Sequence, residues 1–173
     1  WNESLVQTGV YITQSRLSLI GNLAEKIQEI AGKYMKSHFE IGINYHTKLS
    51  ETTAEYFAQL LDANQYKEIA AGKTLYGPHT DDLQFNYFAK NARQVASRGQ
   101  QRVIALLWKM SVAHALEQKY NTKPVLLLDD VCSELDDDNS AQLSNWIIES
   151  GCQYFITAAE QKYIPQSVIQ ATS

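Results

Sequence analysis

The stretch PVLLLDDVCSELDDD, residues 124–138, decides the fold of this chain. Four apolar residues at 125–128 run directly into Asp129 and Asp130, which predicts a fully buried parallel strand that ends at a chemical site. Ligands of doubly wound sheets bind outside the carboxyl ends of the strands, so we expect both carboxylates at that edge. Two adjacent acids there require a compensating cation, for which Mg²⁺ is the candidate, or hydrogen-bond donors. The alternative is a core strand followed by an acidic, helix-capping turn.

The composition indicates one sizeable core, or one domain with an appendage, because 45% of the 173 residues are hydrophobic. The net charge of -4 excludes a global basic field, so any contact with nucleic acid requires a local patch. Cys132 and Cys152 lack metal-binding spacing, which favours reduced thiols in a cytosolic protein. No apolar run approaches the roughly 20 residues that cross a bilayer, and no signal peptide opens the chain. We therefore expect a cytoplasmic protein with no membrane partner.

The first 72 residues predict a helical arm or lobe that includes one strand. Apolar residues recur in steps of four and three over positions 6–34, as in a coiled-coil seam. A helix over most of this stretch would be on the order of 50 Å long, so it either projects as an arm or lies along a core. A strand is expected at residues 39–46, and a second helix from about Thr53 to Gly72. The buried side of that second helix would carry Tyr56, Phe57, Leu60, Leu61 and Tyr66.

The tripeptide GKT at Gly72 to Thr74 imitates the end of a phosphate-binding loop. That loop needs a glycine five positions before Gly72, where this chain has Lys67. It also follows a strand and opens a helix, whereas a helical pattern precedes GKT here. The chain therefore carries no phosphate cradle of its own.

Two further segments carry candidate chemistry. GPHTDDL, residues 77–83, forms a turn that presents His79, Thr80, Asp81 and Asp82. This turn could hold a metal, relay a proton or contact a phosphate, or it could be a solvated hairpin connection. A short strand should follow it. SRGQQR, residues 97–102, opens a helix predicted from Gly99 to about Gln118. Its first turn suits an anionic phosphate, and the alternative is a capped core helix with exposed arginines.

Together, GPHTDDL, SRGQQR and VLLLDDVCSELD resemble the C-terminal half of the RecF family in order and spacing. These proteins are ABC-type ATPases of recombination and gap repair, related to Rad50 and SMC heads. The resemblance implies an α/β fold: the C-terminal half of an ABC-type (P-loop NTPase) ATPase head with a mostly helical lobe. Residues 1–72 would be the helical lobe and residues 73–173 the head half.

The resemblance also assigns roles to individual residues. Ser97, Gly99 and Gln100 correspond to the signature motif, which contacts the γ-phosphate of ATP held by the opposite protomer. Asp129 corresponds to the Walker B acid that holds Mg²⁺, and Asp130 to the catalytic base, where a glutamate is usual. The shorter aspartate suits slow hydrolysis. Asp136, at the end of the SELD sequence that corresponds to the D-loop, would lie at the dimer interface.

The same resemblance implies an ATP-dependent homodimer that binds single-stranded or gapped DNA and works with mediator proteins such as RecR and RecO. Ala158 stands where many ABC proteins have a switch histidine. The start at Trp1, without a methionine, leads us to expect a piece of a longer ATPase that is inactive without its phosphate-cradling half. An SMC-like or Rad50-like head and a non-enzymatic interaction module are the alternatives.

Overall fold

The structure is a computed structural model, which describes residues 2–35, 39–132 and 135–170. It is a mixed α/β fold, as the sequence predicted. No helix in those ranges combines the length and the apolarity needed to span a membrane. In chain order the elements are α1 (Asn2–Tyr34), β1 (Ile41–His46), α2 (Ala54–Ala71), β2 (Asp82–Tyr87), β3 (Lys90–Asn91), α3 (Ala92–Val95), α4 (Arg98–Tyr120), β4 (Leu126–Leu128), α5 (Asp137–Ser150), β5 (Tyr154–Ile156), a 3₁₀ helix (Gln161–Tyr163) and α6 (Gln166–Gln170).

The chain divides into two compact units. The first comprises residues 1–22 and 43–84, and the second comprises residues 23–42 and 85–173. The strands form a three-stranded sheet in the order β1-β2-β3 and a parallel pair, β4 and β5. The functional division into a lobe and a head half stays a prediction.

The first unit has its core around Phe57 of α2. Phe57 and Leu61 are buried together with Val6 of α1. The ends of α2 lie where the sequence predicted them, because nearby residues in the chain form hydrogen bonds with the backbone groups that a helix end leaves unpaired. The Tyr56 N–H donates to the Thr53 hydroxyl, and Gly72 takes the left-handed conformation that follows the last turn.

The prediction that Tyr66 lies on the buried face of α2 is wrong. The side chain of Tyr66 is 88% exposed, and Ile69 is exposed as well. The buried face continues from Leu61 to Asn64, whose amide donates to the Leu60 carbonyl. Tyr66 comes five residues after Leu61, which is about 140° around a helix, so it lies away from the core.

Gly9 of α1 marks a close approach to the core of the first unit. A Cβ atom at Gly9 would lie 2.6 Å from Cε1 of the fully buried Phe57. A Cβ atom at Gly21 of the same helix would meet nothing within 4 Å. The two glycines are therefore matched positions that differ in the space available to a methyl group.

We predict that Gly9→Ala lowers the free energy of unfolding by about 1–2 kcal/mol, because the added methyl group forces the buried Phe57 ring or the helix to shift. Gly21→Ala should raise it by about 0.5–1 kcal/mol, because alanine favours an open helical position. Urea unfolding of both variants, followed by circular dichroism, measures the difference. Equal stabilisation by the two substitutions would contradict the contact between α1 and Phe57.

The buried side chains of the second unit come mainly from the C-terminal part of α1 and from α4 and α5. They include Leu23, Ile27, Val103, Leu107, Met110, Leu143 and Ile147. The end of α1 is tied to α5 by Lys33 and Tyr34, which both donate to Glu149 at 2.7 Å. Both cysteines are free thiols, as predicted.

The strand β4 is not fully buried, which corrects the prediction from its apolar run. Leu128 is buried, but Leu127 is 75% and Val125 is 54% exposed. Successive side chains of a strand lie on opposite faces, so Leu127 faces away from Leu128. Its partner in register, Phe155 of β5, is 58% exposed. Within the part of the chain that the structure describes, one face of this parallel pair is therefore uncovered.

Candidate functional site

Asp129 lies at the carboxyl edge of the β4–β5 pair, as the sequence predicted. The parallel ladder continues one residue past the strands, since the Thr157 N–H donates to the Leu128 carbonyl at 3.0 Å. The Thr157 hydroxyl donates to Oδ1 of Asp129 at 2.5 Å. Both aspartates and Thr157 are exposed. The edge therefore presents an oriented carboxylate and a hydroxyl to solvent.

Thr157 is a site residue that the sequence analysis did not single out. It directly follows β5, just as Asp129 directly follows β4. Because the two strands are parallel, the residues that follow them meet at the same edge. A polar residue after the second apolar strand was thus the available signal.

The backbone of Asp130 turns out of the strand in a left-handed conformation, with φ 48°. Its N–H donates to both the carbonyl and the hydroxyl oxygen of Thr157, at 3.2 and 3.0 Å. Burial raises the pKa of the nearby Cys132 thiol, and the negative charge of Asp130 raises it further. Cys132 is therefore protonated at neutral pH.

The residues at this edge fit Mg²⁺ that is bound together with a phosphate. Nowhere in residues 2–35, 39–132 and 135–170 do three His, Cys, Asp or Glu side chains gather into a cage for a metal ion. Magnesium does not need one, since it usually takes one or two carboxylates, several waters and phosphate oxygens. Asp129 supplies such a carboxylate, and Thr157 fixes its orientation.

A groove of about 300 Å³ leads from this edge along α4. Arg102 and Lys109 of α4 line it together with Asp129. The predicted phosphate-binding residues Ser97, Gly99 and Gln100 are not among the residues that line it. The groove thus adds two basic side chains that the sequence analysis did not assign to the site.

The start of α4 is built by a reciprocal pair of hydrogen bonds. The Gln100 N–H donates to the Ser97 hydroxyl oxygen at 3.3 Å, and the Ser97 N–H donates to Oε1 of Gln100 at 2.8 Å. Such a capping box satisfies two of the donors at a helix start. The N–H groups of Arg98 and Gly99 precede the first intrahelical bond, in a turn whose residues 97–99 are exposed. A Cβ atom at Gly99 would meet nothing within 4 Å, so this end of the helix is accessible.

Asp136 caps α5. Its Oδ1 accepts from the Asn139 N–H at 2.8 Å, and its Oδ2 accepts from the Asn139 side-chain amide at 2.9 Å. Asp136 thus has a structural role whatever else it contacts. Ser133 and Glu134, the first residues of the predicted D-loop, lie outside the described residues.

The GPHTDDL turn is braced within the first unit. Gly77 has φ 129°, a conformation that favours glycine, and its carbonyl accepts from the N–H and the hydroxyl of Thr80. The Tyr45 hydroxyl donates to Oδ2 of Asp81. Burial raises the pKa of Tyr45, and the hydrogen bond to Asp81 raises it further. A ring nitrogen of His79 lies 3.0 Å from a backbone carbonyl oxygen. His79 and Asp81 are therefore engaged in holding the turn.

Comparison with known proteins gives consistent matches. No family model matches the chain. The DNA replication and repair protein RecF of Moorella thermoacetica is 34% identical over 172 residues, which cover 98% of this chain and 45% of that protein. RecF of Chloroflexus aggregans is 35% identical over 165 residues, covering 91% of this chain and 42% of that protein. The chain thus spans just under half the length of these curated relatives.

Solved structures match the fold as well. A structure of the recombination mediator protein RecF with ATP, in the RecFOR pathway, aligns with a TM-score of 0.77 and 26% identity. The alignment covers 92% of this chain and 44% of that one. A structure of RecF with a thio analogue of ATP aligns equally well. These matches confirm the predicted fold class of an ATPase head.

Proposed function

Because the chain belongs to the RecF family of DNA replication and repair proteins, we propose that it is part of an ATP-dependent DNA-binding protein of recombinational gap repair. ATP pairs two protomers, and slow hydrolysis separates them. The observation that carries the proposal is the carboxyl edge of β4 and β5, where Asp129, Asp130 and Thr157 lie together. The RecF structure solved with ATP supports the choice of nucleotide.

At this edge Asp129, held in place by the Thr157 hydroxyl, would hold Mg²⁺. The ion would supply positive charge against the charge that develops on the phosphates during transfer. Asp130 orients the attacking water and accepts its proton. The two basic side chains of the adjoining groove, Arg102 and Lys109, add positive charge beside the carboxylates.

The start of α4 acts on the nucleotide of the facing protomer. Ser97 and Gly99 offer a hydroxyl and a backbone N–H at an exposed helix start, where the helix dipole favours an anion. Gln100 keeps this turn in shape through the capping box. Asp136, beside the dimer interface, holds the start of α5.

The lobe of residues 1–72 and the head half of residues 73–173 would belong to a protein that binds single-stranded or gapped DNA. Mediator proteins such as RecR and RecO are the proposed partners, and the cytoplasm is the proposed location. The candidates for DNA contact are the basic residues Lys33, Lys36 and Arg93. Lys33 is a weak candidate, because it forms an ion pair with Glu149 at 2.7 Å. Arg93 is exposed, and Lys36 lies outside the described residues.

Sedimentation equilibrium of a full-length RecF protein that contains this chain, hereafter the full-length protein, tests the proposal. We expect a monomer without nucleotide, a dimer with Mg²⁺ and ATP, and a return to monomer as ATP is hydrolysed. A mass that does not respond to ATP would favour the non-enzymatic interaction module. The RecF matches do not favour the SMC-like or Rad50-like alternative.

A further inference from the structure

Tyr87 lies beside the start of α4 and is held from two sides. It is the last residue of β2, and its half-buried ring lies 5.0 Å from the ring of Phe39 and 4.7 Å from that of Phe88, between centroids. Tilted and edge-to-face ring pairs at such distances are attractive. The Tyr87 hydroxyl is therefore a fixed point in the second unit.

The turn that follows Tyr87 reinforces this fixed position. Tyr87 pairs with Lys90 across a two-residue hairpin loop of Phe88 and Ala89, both of which have positive φ, at 48° and 60°. Such loops prefer asparagine and glycine, because bulkier residues are strained there. The loop persists because its surroundings hold it, including a hydrogen bond from the Phe88 N–H to the Glu40 carbonyl at 3.1 Å.

The fixed hydroxyl is bonded to the capping box of α4. Nε2 of Gln100 donates to the Tyr87 hydroxyl at 3.2 Å, while Oε1 of Gln100 accepts from the Ser97 N–H. The orientation of this amide follows from chemistry, since the Ser97 N–H is a donor and must meet the oxygen end. Tyr87 thereby receives the NH₂ end, and a continuous path runs from Tyr87 through Gln100 to Ser97.

We propose that Tyr87 is a positioning residue for the phosphate-binding turn at the start of α4. Through Gln100 it keeps Ser97 and the adjacent N–H groups in the conformation that receives a phosphate of the facing protomer. This inference rests on the proposed function of that turn. Tyr87 does not touch the nucleotide. It orders the exposed turn before two protomers associate, so that less conformational entropy is lost on association.

Tyr87→Phe in the full-length protein tests the inference, because it removes the hydroxyl and keeps the ring. The dissociation constant of the dimer in Mg²⁺ and ATP, measured by sedimentation equilibrium, should rise about fivefold, as the loss of one hydrogen bond implies. ATP affinity under monomeric conditions should not change. Tyr154→Phe is the matched control, since its half-buried hydroxyl donates to a carbonyl of α6 at 3.4 Å, away from the turn.

A double-mutant cycle with Gln100→Ala distinguishes positioning of the turn through Gln100 from a stabilising effect of Tyr87 that does not involve Gln100. If Tyr87 acts through Gln100, Tyr87→Phe adds nothing in the Gln100→Ala background. Additive effects, or wild-type pairing by Tyr87→Phe, overturn the inference while the function of the turn stands. If Ser97→Arg also pairs like the wild type, the proposed function itself fails.

Discussion

Asp130→Asn is expected to reduce ATP hydrolysis by the full-length protein about a hundredfold or more, because the amide cannot accept the proton of the attacking water. Nucleotide binding and ATP-dependent pairing should persist, since Asp129 and the start of α4 are untouched. A variant that pairs but does not hydrolyse should remain dimeric after the wild type has returned to monomer.

The backbone around Asp130 makes this substitution a clean test. Asparagine tolerates the left-handed conformation at φ 48° about as well as aspartate. The contacts with Thr157 use the backbone N–H of residue 130, so they survive the change. Lost turnover can then be attributed to the carboxylate.

Steady-state phosphate release measures hydrolysis, and equilibrium titration with a fluorescent ATP analogue measures binding. Asp137→Asn is the control, because it removes another exposed carboxylate, in the first turn of α5. It should leave turnover within about twofold of the wild type, as expected of a surface substitution. Normal turnover by Asp130→Asn would remove Asp130 from the mechanism.

The second large effect is expected from Ser97→Arg, which should weaken nucleotide-dependent pairing roughly a hundredfold, about 2.7 kcal/mol. Arginine has no acceptor for the Gln100 N–H, so the helix cap is lost. Its long side chain also fills the exposed space in front of Gly99, where a facing phosphate must approach the backbone. Sedimentation equilibrium with and without ATP measures the change.

Thr53→Arg controls for the lost helix cap. Thr53 caps α2 as Ser97 caps α4, by accepting from a backbone N–H three residues later. Each substitution should cost about 1 kcal/mol of stability. Only Ser97→Arg should affect pairing. Equal pairing by the two variants would show that the start of α4 does not face a partner protomer.

The elements with local chemical signals could be predicted from the sequence. Thr53 and Gly72 bound α2, and Ser97 caps α4, which begins one residue before the predicted Gly99. A short hydroxyl side chain and a glycine satisfy helix ends without distant partners. The position of Asp129 could be predicted in the same way, since an apolar run that ends in acids indicates the carboxyl end of a strand.

Features that depend on distant residues could not be predicted. An apolar run does not reveal which faces of a strand are covered, so the exposure of Leu127 was missed. The bond from Thr157 to Asp129 joins residues on two different strands. The hairpin loop at Phe88 and Ala89 carries none of the usual turn residues, and it exists because neighbouring rings and carbonyls hold it.

The uncovered strip of Val125, Leu127 and Phe155 has a practical consequence for concentrated solutions of this chain alone. Exposed apolar strips of this kind associate with one another whether or not nucleotide is bound. Self-association that grows with protein concentration but ignores ATP therefore reports on this strip. A mild detergent that masks the strip should therefore reduce the self-association of this chain, whereas pairing through the start of α4 is measured in the full-length protein.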